Sequence, residues 1–461
     1  MRPTVTRRDF LAIAGTVAIG TGTVSADGGD DEPVTFATYN VVDLRTEQVQ
    51  SSGDEQAAAA ARVIQEIRPD VLVLNELTNN RQASRVKDVP SSPSNARAFV
   101  ENYLSVPQRS DLRGIEYPQT VMPTTNTGVA SGLDLDNNGT VDETSGDRTY
   151  GNDAYGFGEF PGKYGLAILS RFPIRRDAIR TFRKFLWQDM PDNLLPRDPS
   201  TNNYLSDAEA EEFRLSSKTH IDVPIEIGDE VVHALAAHPT PPVFDGNGNF
   251  NGKRNHDEIR LLADYAAGAD YIYDDSGRQG GLEDDSYVLM GDMNAAPGEA
   301  ETLNAATEYF VENDGFVATP FPTSPGGAAK NEPRSRFWTA EFGSQVDYVL
   351  PSPDLGRGRT SVVWPSAATT ERGLLDAVRT ASDHRLVWAN VPIEREEVDD
   401  DPERDDGDGE NEDGDDTDDG DEDDEDDRED EEREEDEEEA GDEREDEKDD
   451  GAEEDGSDSD D

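Results

Sequence analysis

Short runs of apolar residues recur along the chain, separated by polar stretches that are rich in glycine and proline. The first two runs are residues 34–40 and 70–76, and an alanine-rich stretch at 56–67 lies between them. Short runs bounded by turn residues are typical of strands, whereas alanine favours a helix. The helix is predicted to stop at Arg68, because a residue before proline avoids the α conformation. The chain therefore begins strand, helix, strand.

The same pattern continues towards the C-terminal side. Later strands are predicted at residues 164–170, 231–238, 287–292, 345–350 and 385–391, with a further helix at 256–267. Strands and helices in this mixture predict an α/β fold with enough strands for two sheets. Residues 78–162 and 184–213 lack a regular pattern. We interpret them as insertions over the functional face or as partly ordered excursions, since long structureless loops are uncommon in compact domains.

The N-terminal 26 residues have the pattern of an export signal. Thr6-Arg7-Arg8-Asp9-Phe10-Leu11 precedes an apolar stretch that ends in the small residues Val24-Ser25-Ala26, and the segment resembles a twin-arginine signal. The apolar stretch is short and rich in glycine and threonine, which argues against a retained membrane span of about 20 residues. We therefore expect a signal peptide at 1–26, a linker at 27–32, a secreted product and no stable membrane insertion.

Charge divides the rest of the chain into two parts. Residues 399–461 contain 44 acidic and 5 basic residues, a net charge of −39, and leave −25 for the other residues. A segment with this density of like charge and few apolar side chains cannot bury enough surface to order itself, so residues 396–461 are predicted to be a disordered acidic tail. The folded catalytic domain is predicted at 33–395.

The acidity of the folded part favours a protein that works in concentrated salt, where self-repulsion is screened within about 3 Å at 1 M. An ordinary acidic protein is the alternative. The chain has no cysteine, which excludes disulfides and thiolate metal sites. The sequence identifies no protein partner.

One insertion carries a candidate calcium loop. Asp134, Asp136, Asn138 and Asp142 occupy positions one, three, five and nine, with glycine at position six, which is the spacing of an EF-hand loop. Position twelve is Ser145 instead of glutamate. A Ca²⁺ site and a plain Asn-Gly turn both fit this segment.

Several predicted strands end in residues that can bind a metal or move a proton. These are Asn40, Glu76, His238, Asp292 with Asn294, Asp347, and Asp383 with His384. Ligands gather where strand ends converge, so the residues are candidates for one cluster, although each taken singly also fits a turn. His233 lies five positions before His238, and on one strand the two face opposite ways. Only His238 is therefore expected to join the cluster.

Taken together, these motifs resemble the endonuclease/exonuclease/phosphatase superfamily, the metal-dependent nucleases and phosphatases related to DNase I. The matching segments occur in family order and cover most of residues 33–395. They are Thr38-Tyr39-Asn40-Val41, Pro69-Asp70-Val71-Leu72-Val73-Leu74-Asn75-Glu76, Gly165 to Pro173, Ala237-His238-Pro239, Gly291-Asp292-Met293-Asn294, Val346-Asp347-Tyr348 and Ser382-Asp383-His384. The resemblance implies a four-layer α/β sandwich, in which helices flank two central sheets.

The resemblance also suggests a division of roles. Glu76 is the expected ligand for Mg²⁺ or Mn²⁺. Asn40 is expected to complete the coordination shell of the metal or to orient a metal-bound water, and Asp383 is expected to lie against the metal. Two residues depart from the family pattern. Val42 stands two positions after Asn40, where nucleases of the family often have an acid, and Asn75 stands where glutamine is frequent.

The remaining residues are assigned to water and phosphate. His384 is the candidate base for the attacking water, with Asp347 orienting its ring, and Asp292 is the alternative base. Asn294 and His238 are expected to contact the phosphate or the leaving oxygen. Arg254 is a further phosphate candidate, although a helix cap near Asn255 explains that segment equally well.

The sequence therefore predicts a secreted, metal-dependent phosphodiesterase, with extracellular nucleic acid as one substrate. The first alternative is a phosphomonoesterase that acts on a small metabolite or a lipid head group. The second is a surface or binding module without activity, because fold alone does not establish function. The folded part has no basic stripe to indicate nucleic acid directly.

Overall fold

The computed structural model describes residues 33–83, 93–201, 203–244, 248–283, 285–368 and 372–393. The predicted signal peptide, linker and acidic tail lie outside the described residues. Within the described residues, no helix is both long enough and apolar enough to cross a membrane.

The strands form two mixed sheets. The first has the order β10-β11-β1-β2-β4-β3 and the second the order β5-β6-β7-β8-β9, and in each sheet one central pair is parallel, β1 with β2 and β7 with β8. The strands are β1 (Val34–Leu44), β2 (Val71–Leu77), β3 (Gln119–Val121), β4 (Leu166–Ser170), β5 (Arg180–Thr181), β6 (Ile221–Ile227), β7 (Glu230–Ala236), β8 (Tyr287–Asp292), β9 (Asp347–Pro351), β10 (Thr360–Val362) and β11 (Val387–Val391).

The longest helices lie outside the sheets, and short ones fill the connections. The α-helices are α1 (Thr46–Val49), α2 (Glu55–Ile67), α3 (Asn80–Ala83), α4 (Asn95–Phe99), α5 (Arg148–Asn152), α6 (Asp207–Ala210), α7 (Phe250–Ala266), α8 (Pro325–Ala328) and α9 (Arg372–Ala381). Helix α2 begins at the N-cap Asp54, whose carboxylate accepts from the amide of Ala57, and it ends where Arg68 turns left-handed before Pro69.

Successive residues of each central strand point into different layers. In β1, Phe36 lies in the apolar cluster between the two sheets, whereas Ala37 packs outwards against the layer of α2 and α9. In β8, Met290 faces the other sheet and Leu289 faces the layer of α7. Both faces of the sheets are covered, which explains why the strands are nearly continuous apolar runs. The fold is the four-layer α/β sandwich that the sequence predicted.

The pairing of the strands brings the chemistry-bearing residues to one edge. Because β1 and β2 are parallel, Asn40 and Asn75 lie side by side near the ends of their strands. Asp292 at the end of β8 pairs with Asp347 at the start of the antiparallel strand β9. The predicted strand ends therefore meet at one side of the sandwich.

Some elements differ from the sequence prediction. Helix α7 begins at Phe250, earlier than predicted. The prediction missed its first turns because polar residues fill them and hide the apolar period. Strand β6 was not predicted. The long insertions are not without structure: the first holds α3, α4, β3 and α5, and the second holds α6.

Candidate active site

The side chain of Asn40 links the two sheets at the edge where their strands end. This residue is fully buried, and its amide donates both to Oε1 of Glu76 at 3.0 Å and to Oδ2 of Asp292 at 2.9 Å. Its own oxygen accepts from the amide of Val42 at 3.0 Å. With every polar atom of its side chain engaged, Asn40 holds the two carboxylates beside each other.

Asn75, which departs from the family pattern, makes a second connection between the sheets. Its oxygen accepts from the amide of Asp292 at 3.2 Å, and its Nδ2 donates to the carbonyl of Ala237 at 3.3 Å. The residue is fully buried. It therefore holds the end of β2 against the ends of β7 and β8, directly before His238.

Four residues at this edge have unusual backbone conformations. Val42, Asp43, Glu76 and Asn294 all have positive φ angles, between 48° and 66°, although positive φ is uncommon outside glycine and gathers at functional sites. Asp43 shows one consequence, since its amide donates to Oε2 of Glu76 at 3.0 Å. The irregular stretch of β1 between Asn40 and Leu44 and the positive φ angle of Glu76 near the end of β2 thus aim Glu76 into the site.

His238 brings an imidazole to the same two carboxylates. Its Nε2 lies 3.4 Å from Oδ2 of Asp292 and 3.9 Å from Oε1 of Glu76. Its Nδ1 is buried and has no hydrogen-bond partner among the described residues. His233 faces the other way and pairs with Asp222 at 2.7 Å, as the period of a strand requires.

His384 and Asp347 form the other half of the cluster. Nδ1 of His384 lies 3.0 Å from Oδ2 of Asp347, and Nε2 lies 3.8 Å from Oδ2 of Asp292. Ser382 positions this segment, because its hydroxyl donates to the carbonyl of Asn40 at 2.7 Å and accepts from the amide of His384 at 2.9 Å. The turn before β11 is therefore fastened to the end of β1.

The buried carboxylates and imidazoles shift one another's ionisation. Burial disfavours the Asp292 carboxylate, yet the imidazoles and Asn40 together hold its pKa below the usual value. Burial raises the pKa of Asp347 to about 6. Burial alone would lower the pKa of His384, but the carboxylates of Asp347 and Asp292 raise it to about 10. At neutral pH His384 is thus a cation between two anions.

The donor atoms present fit a divalent cation. One ligand atom each from Glu76, His238 and Asp292 lie within 4.8 Å of one another. Two carboxylates with a neutral imidazole suit Mn²⁺, and the carboxylates with water and phosphate oxygens suit Mg²⁺. Asp292, Asp347 and His384 form a second such group, in which Asp347 and His384 already satisfy each other.

Asn294 lies beside this cluster as predicted for a phosphate contact, and its side chain is half-buried. Its backbone amide donates to Oδ1 of Asp292 at 2.9 Å, and its Nδ2 donates to the carbonyl of Pro239 at 3.1 Å. The positive φ angle of Asn294 makes this tight return to Asp292 possible.

The structure gives Arg254 a role that differs from the one the sequence suggested, and it leaves Asp383 at the surface. The guanidinium of Arg254 is buried in α7 and donates to the backbone carbonyls of Leu215, Tyr155 and Arg214. These bonds use it to hold neighbouring loops, so the phosphate contact is corrected to a structural role. Asp383 is exposed and is in none of the groups of three or more acidic or histidine side chains that converge among the described residues, so its contact with a metal stays a prediction. Its neighbour His384 turns inwards, because adjacent residues of an extended segment point oppositely.

The candidate calcium loop is closed differently from the prediction. Asp134 and Asp136 come together with Asp153, a residue outside the loop motif. Asn138 and Asp142 instead contribute backbone amides, which donate to Asp134 at 3.0 Å and to Asp153 at 2.8 Å. The hydrogen-bonded turn in this loop runs from Asp134 to Asn137, whose amide donates to the carbonyl of Asp134 at 3.4 Å. The calcium site and the Asn-Gly turn both stay predictions.

Sequence reasoning missed a buried lysine near the carboxylates. Lys218 is 7% exposed, and its Nζ donates to the carbonyl of Pro239 at 3.1 Å, the same oxygen that Asn294 contacts. Burial lowers the pKa of Lys218, while the charges of Glu258, Glu76 and Asp292 oppose that shift. The residue precedes β6, and failing to predict that strand hid the lysine's position.

Comparisons with known proteins agree with the motif order. A family model described as the endonuclease/exonuclease/phosphatase family matches residues 49–384. No curated protein sequence matches the chain.

Solved structures show distant similarity. An endonuclease/exonuclease/phosphatase from Beutenbergia cavernae DSM 12333 is 16% identical, with a TM-score of 0.43 over 78% of this chain and 72% of that chain. Sphingomyelinase C from Streptomyces griseocarneus is 17% identical, with a TM-score of 0.39 over 78% and 99% of the two chains. An AP endonuclease from Archaeoglobus fulgidus is 14% identical, with a TM-score of 0.37 over 78% and 100%.

The family match covers more than half of the chain and includes every residue of the cluster except Asn40. Asn40 is nonetheless hydrogen-bonded to two of the matched acids. The chain belongs to the endonuclease/exonuclease/phosphatase family and is a phosphoester hydrolase of that type.

Proposed function

We propose that this chain is an exported, metal-dependent phosphodiesterase that hydrolyses phosphodiesters, including extracellular nucleic acid, with water as the nucleophile. The observation that carries the proposal is the convergence on Oδ2 of Asp292. Asn40 donates to this oxygen at 2.9 Å, and the Nε2 atoms of His238 and His384 lie 3.4 and 3.8 Å away. Two imidazoles around a buried carboxylate provide groups for proton transfer and for contact with an anionic substrate.

Glu76 and His238 would hold the cation, which is Mg²⁺ or Mn²⁺, with Asp292 beside them. When bound, it would neutralise the charge that develops on the phosphoryl oxygens. Asn40 keeps Glu76 and Asp292 at a fixed separation before the ion arrives, which lowers the cost of assembling the site. The ordered carboxylates therefore need little rearrangement on loading.

Asp292 is the proposed acceptor for the proton of the attacking water. Its pKa is held low, so it is ionised at neutral pH, and its Oδ1 is already engaged by the amide of Asn294. The sequence favoured His384 for this role. With its pKa raised to about 10, His384 is instead a proton donor, and Asp347 keeps Nε2 turned towards the substrate by binding Nδ1.

The proposed reaction balances as a hydrolysis. The water oxygen forms a bond to phosphorus, its proton passes to Asp292, and the bond from phosphorus to the leaving oxygen breaks. The Nε2 proton of His384 neutralises the leaving oxygen or stabilises a phosphate oxygen. Asn294 and Lys218 lie on the Pro239 side of the cluster, where their donors complement the phosphate charge.

A phosphoester panel tests the proposal. We expect the mature protein with Mg²⁺ or Mn²⁺, assayed at molar salt, to hydrolyse bis-p-nitrophenyl phosphate and DNA faster than p-nitrophenyl phosphate. Glu76→Gln and His384→Ala should lower turnover by a factor of at least about 100, the scale of losing a positioned acid-base group. Glu230→Gln is the matched control, since Glu230 is exposed at the opposite end of β7.

Two outcomes would overturn this function. Equal turnover by wild type and both site variants across the panel would remove the catalytic assignment. Faster hydrolysis of the monoester would replace the diester with the monoester alternative. Export is tested separately: replacing both arginines of the pair by lysine (Arg7→Lys with Arg8→Lys) should retain the protein in the cytoplasm, and unchanged export would contradict the twin-arginine route.

A further inference from the structure

A cleft of about 290 Å³ lies next to the proposed reaction centre. Its walls come from the segment that follows Asn294 and the segment that precedes Asp347, and the amide of Met293 fastens the two by donating to the carbonyl of Val346 at 2.7 Å. The cleft therefore starts two residues from Asn294 on one side and two residues from Asp347 on the other. Its lining includes Pro297, Glu299, Arg334, Trp338, Gly343 and Gln345.

Gln345 is the polar group of this cleft that has no use inside the protein. The residue is 4% exposed, and neither its Oε1 nor its Nε2 has a hydrogen-bond partner among the described residues. Its backbone is nonetheless held, because the hydroxyl of Tyr348 donates to its carbonyl at 3.0 Å. Leaving a buried amide unpaired is costly, and buried polar groups without partners are rare in folded proteins. Gln345 lines the cleft, but both of its polar side-chain atoms are covered by protein. A ligand in the cleft therefore reaches this amide when the side chain of Gln345 turns towards it.

The other walls are flat and mainly apolar. The side chains of Phe337 and Trp338 are half-buried, and the ring of Trp338 lies where a Cβ on Gly343 would contact it at 3.4 Å. Gly343 has a φ angle of 95°, so a larger residue is disfavoured there. Arg334 stands exposed at the rim with its guanidinium 6.0 Å from the ring of Phe337.

The cleft connects to the reaction centre through an exposed aromatic side chain. Phe342 is 61% exposed, and its ring packs edge-on against the imidazole of His384, with ring centroids 5.5 Å apart. The next residue, Gly343, lines the cleft. A substrate whose phosphate lies at His384 can therefore extend over Phe342 and place its next group beside Trp338 and Gln345.

The chemistry of the cleft selects one kind of group. Flat apolar walls favour stacking of a planar ring, and a glutamine amide pairs with a ring edge that carries a donor next to an acceptor. An aliphatic chain would leave the Gln345 amide unpaired. A second phosphate could pair with Arg334 at the rim, but its oxygens only accept hydrogen bonds and would leave Oε1 of Gln345 without a donor. A nucleobase satisfies the walls and the amide together.

We propose that this cleft is a nucleobase subsite, in which Gln345 pairs with the edge of the base and Trp338 packs against its face. The subsite makes the enzyme selective for phosphodiesters that carry a nucleoside next to the scissile phosphate. This inference rests on the proposed function and specifies its substrate class.

Two chromogenic diesters with the same leaving group test the subsite. Thymidine 5′-monophosphate p-nitrophenyl ester carries a nucleobase, and methyl p-nitrophenyl phosphate does not. The wild type should show a kcat/KM at least about fivefold higher for the thymidine ester, the lower end of what a paired base edge contributes. Gln345→Leu should lose that preference, mainly through a higher KM, and should leave the methyl ester unaffected.

Further variants keep the test decisive. If thermal melting shows that Gln345→Leu does not fold, Trp338→Leu takes its place in the test and should also reduce the preference. Gln119→Leu on the edge strand β3 is the matched control and should retain the preference. Thymidine monophosphate should bind the inactive Glu76→Gln variant more tightly than inorganic phosphate in calorimetry, and Gln345→Leu in that background should remove the difference.

The outcomes separate the two proposals. Equal kcat/KM for both esters, or an equal loss for both in Gln345→Leu, overturns the subsite while the hydrolase stands. Full turnover by Glu76→Gln overturns the proposed function itself, whatever the preference between the esters.

Discussion

The amide of Asn40 donates to Oδ2 of Asp292 at 2.9 Å, although 252 positions separate the two residues in the chain. This bond joins the end of β1 in the first sheet to the end of β8 in the second. Because the same amide also holds Glu76, the side chain of Asn40 bridges the two acids directly.

Replacing Asn40 should therefore impair metal binding more than folding. Asn40→Ala is expected to weaken the apparent Mg²⁺ or Mn²⁺ affinity by about 10- to 100-fold, the effect of losing a partner that orients metal ligands. Activity titrated with each metal would measure it. Asn390→Ala, which removes a partly buried bond to Thr35 at the other end of the sheet, is the control, and equal metal affinities in wild type and Asn40→Ala would contradict the assignment.

Because Asp347 contacts His384, replacing Asp347 should change the pKa of the His384 imidazole. Asp347→Asn removes the carboxylate that contributes most to raising the pKa of His384 to about 10. In the metal-free protein, NMR titration of the imidazole should therefore show a lower pKa in Asp347→Asn than in wild type. The variant should also lose kcat by a factor of about 100 or more. An unchanged titration would show that Asp347 does not govern the charge of His384.

His233 predicts a pH-dependent contribution to stability away from the active site. Burial lowers its pKa, but the hydrogen bond to Asp222 reverses the shift, so the pKa is raised above its usual value. A raised pKa stabilises the fold below the unfolded value of about 6.5, and this contribution is lost as the pH rises through the folded value. His233→Gln should therefore lower the free energy of unfolding by about 1 kcal/mol at pH 5.5 and by less at pH 9.

Chemical denaturation at the two pH values would measure that difference. In an Asp222→Asn background the extra loss at pH 5.5 should become smaller, since the carboxylate that contributes most to raising the pKa of His233 is gone. A constant difference between pH 5.5 and pH 9 in the native background would contradict the ionic contribution.

Thermal melting with and without Ca²⁺ tests whether the group formed by Asp134, Asp136 and Asp153 binds calcium. If the loop binds Ca²⁺, millimolar Ca²⁺ should raise the Tm of the wild type by several degrees, because a ligand that binds only the native state stabilises it. Asp136→Asn should remove that rise, whereas Asp177→Asn, outside the loop, should keep it. No change in the wild type supports the plain Asn-Gly turn.

Local patterns in the sequence were sufficient for the central elements and for most of the candidate site. The apolar runs located β1, β2, β7 and β8, and their polar ends marked Asn40, Glu76, His238 and Asp292. The two-residue period also separated His238 from His233. These inferences hold because side-chain direction along a strand and the end of a helix before proline depend on neighbouring residues.

Tertiary structure decided which of the marked residues meet. Arg254 and Asp383 looked as suitable as Asn294 and His384, yet α7 turns the guanidinium of Arg254 onto backbone carbonyls and Asp383 faces solvent. Asp153 replaced Asp142 in the acidic loop, and the unpaired amide of Gln345 became visible only beside its cleft. Contacts between distant segments depend on how two sheets pack and how loops cross their edge, and a one-dimensional pattern carries no record of that packing.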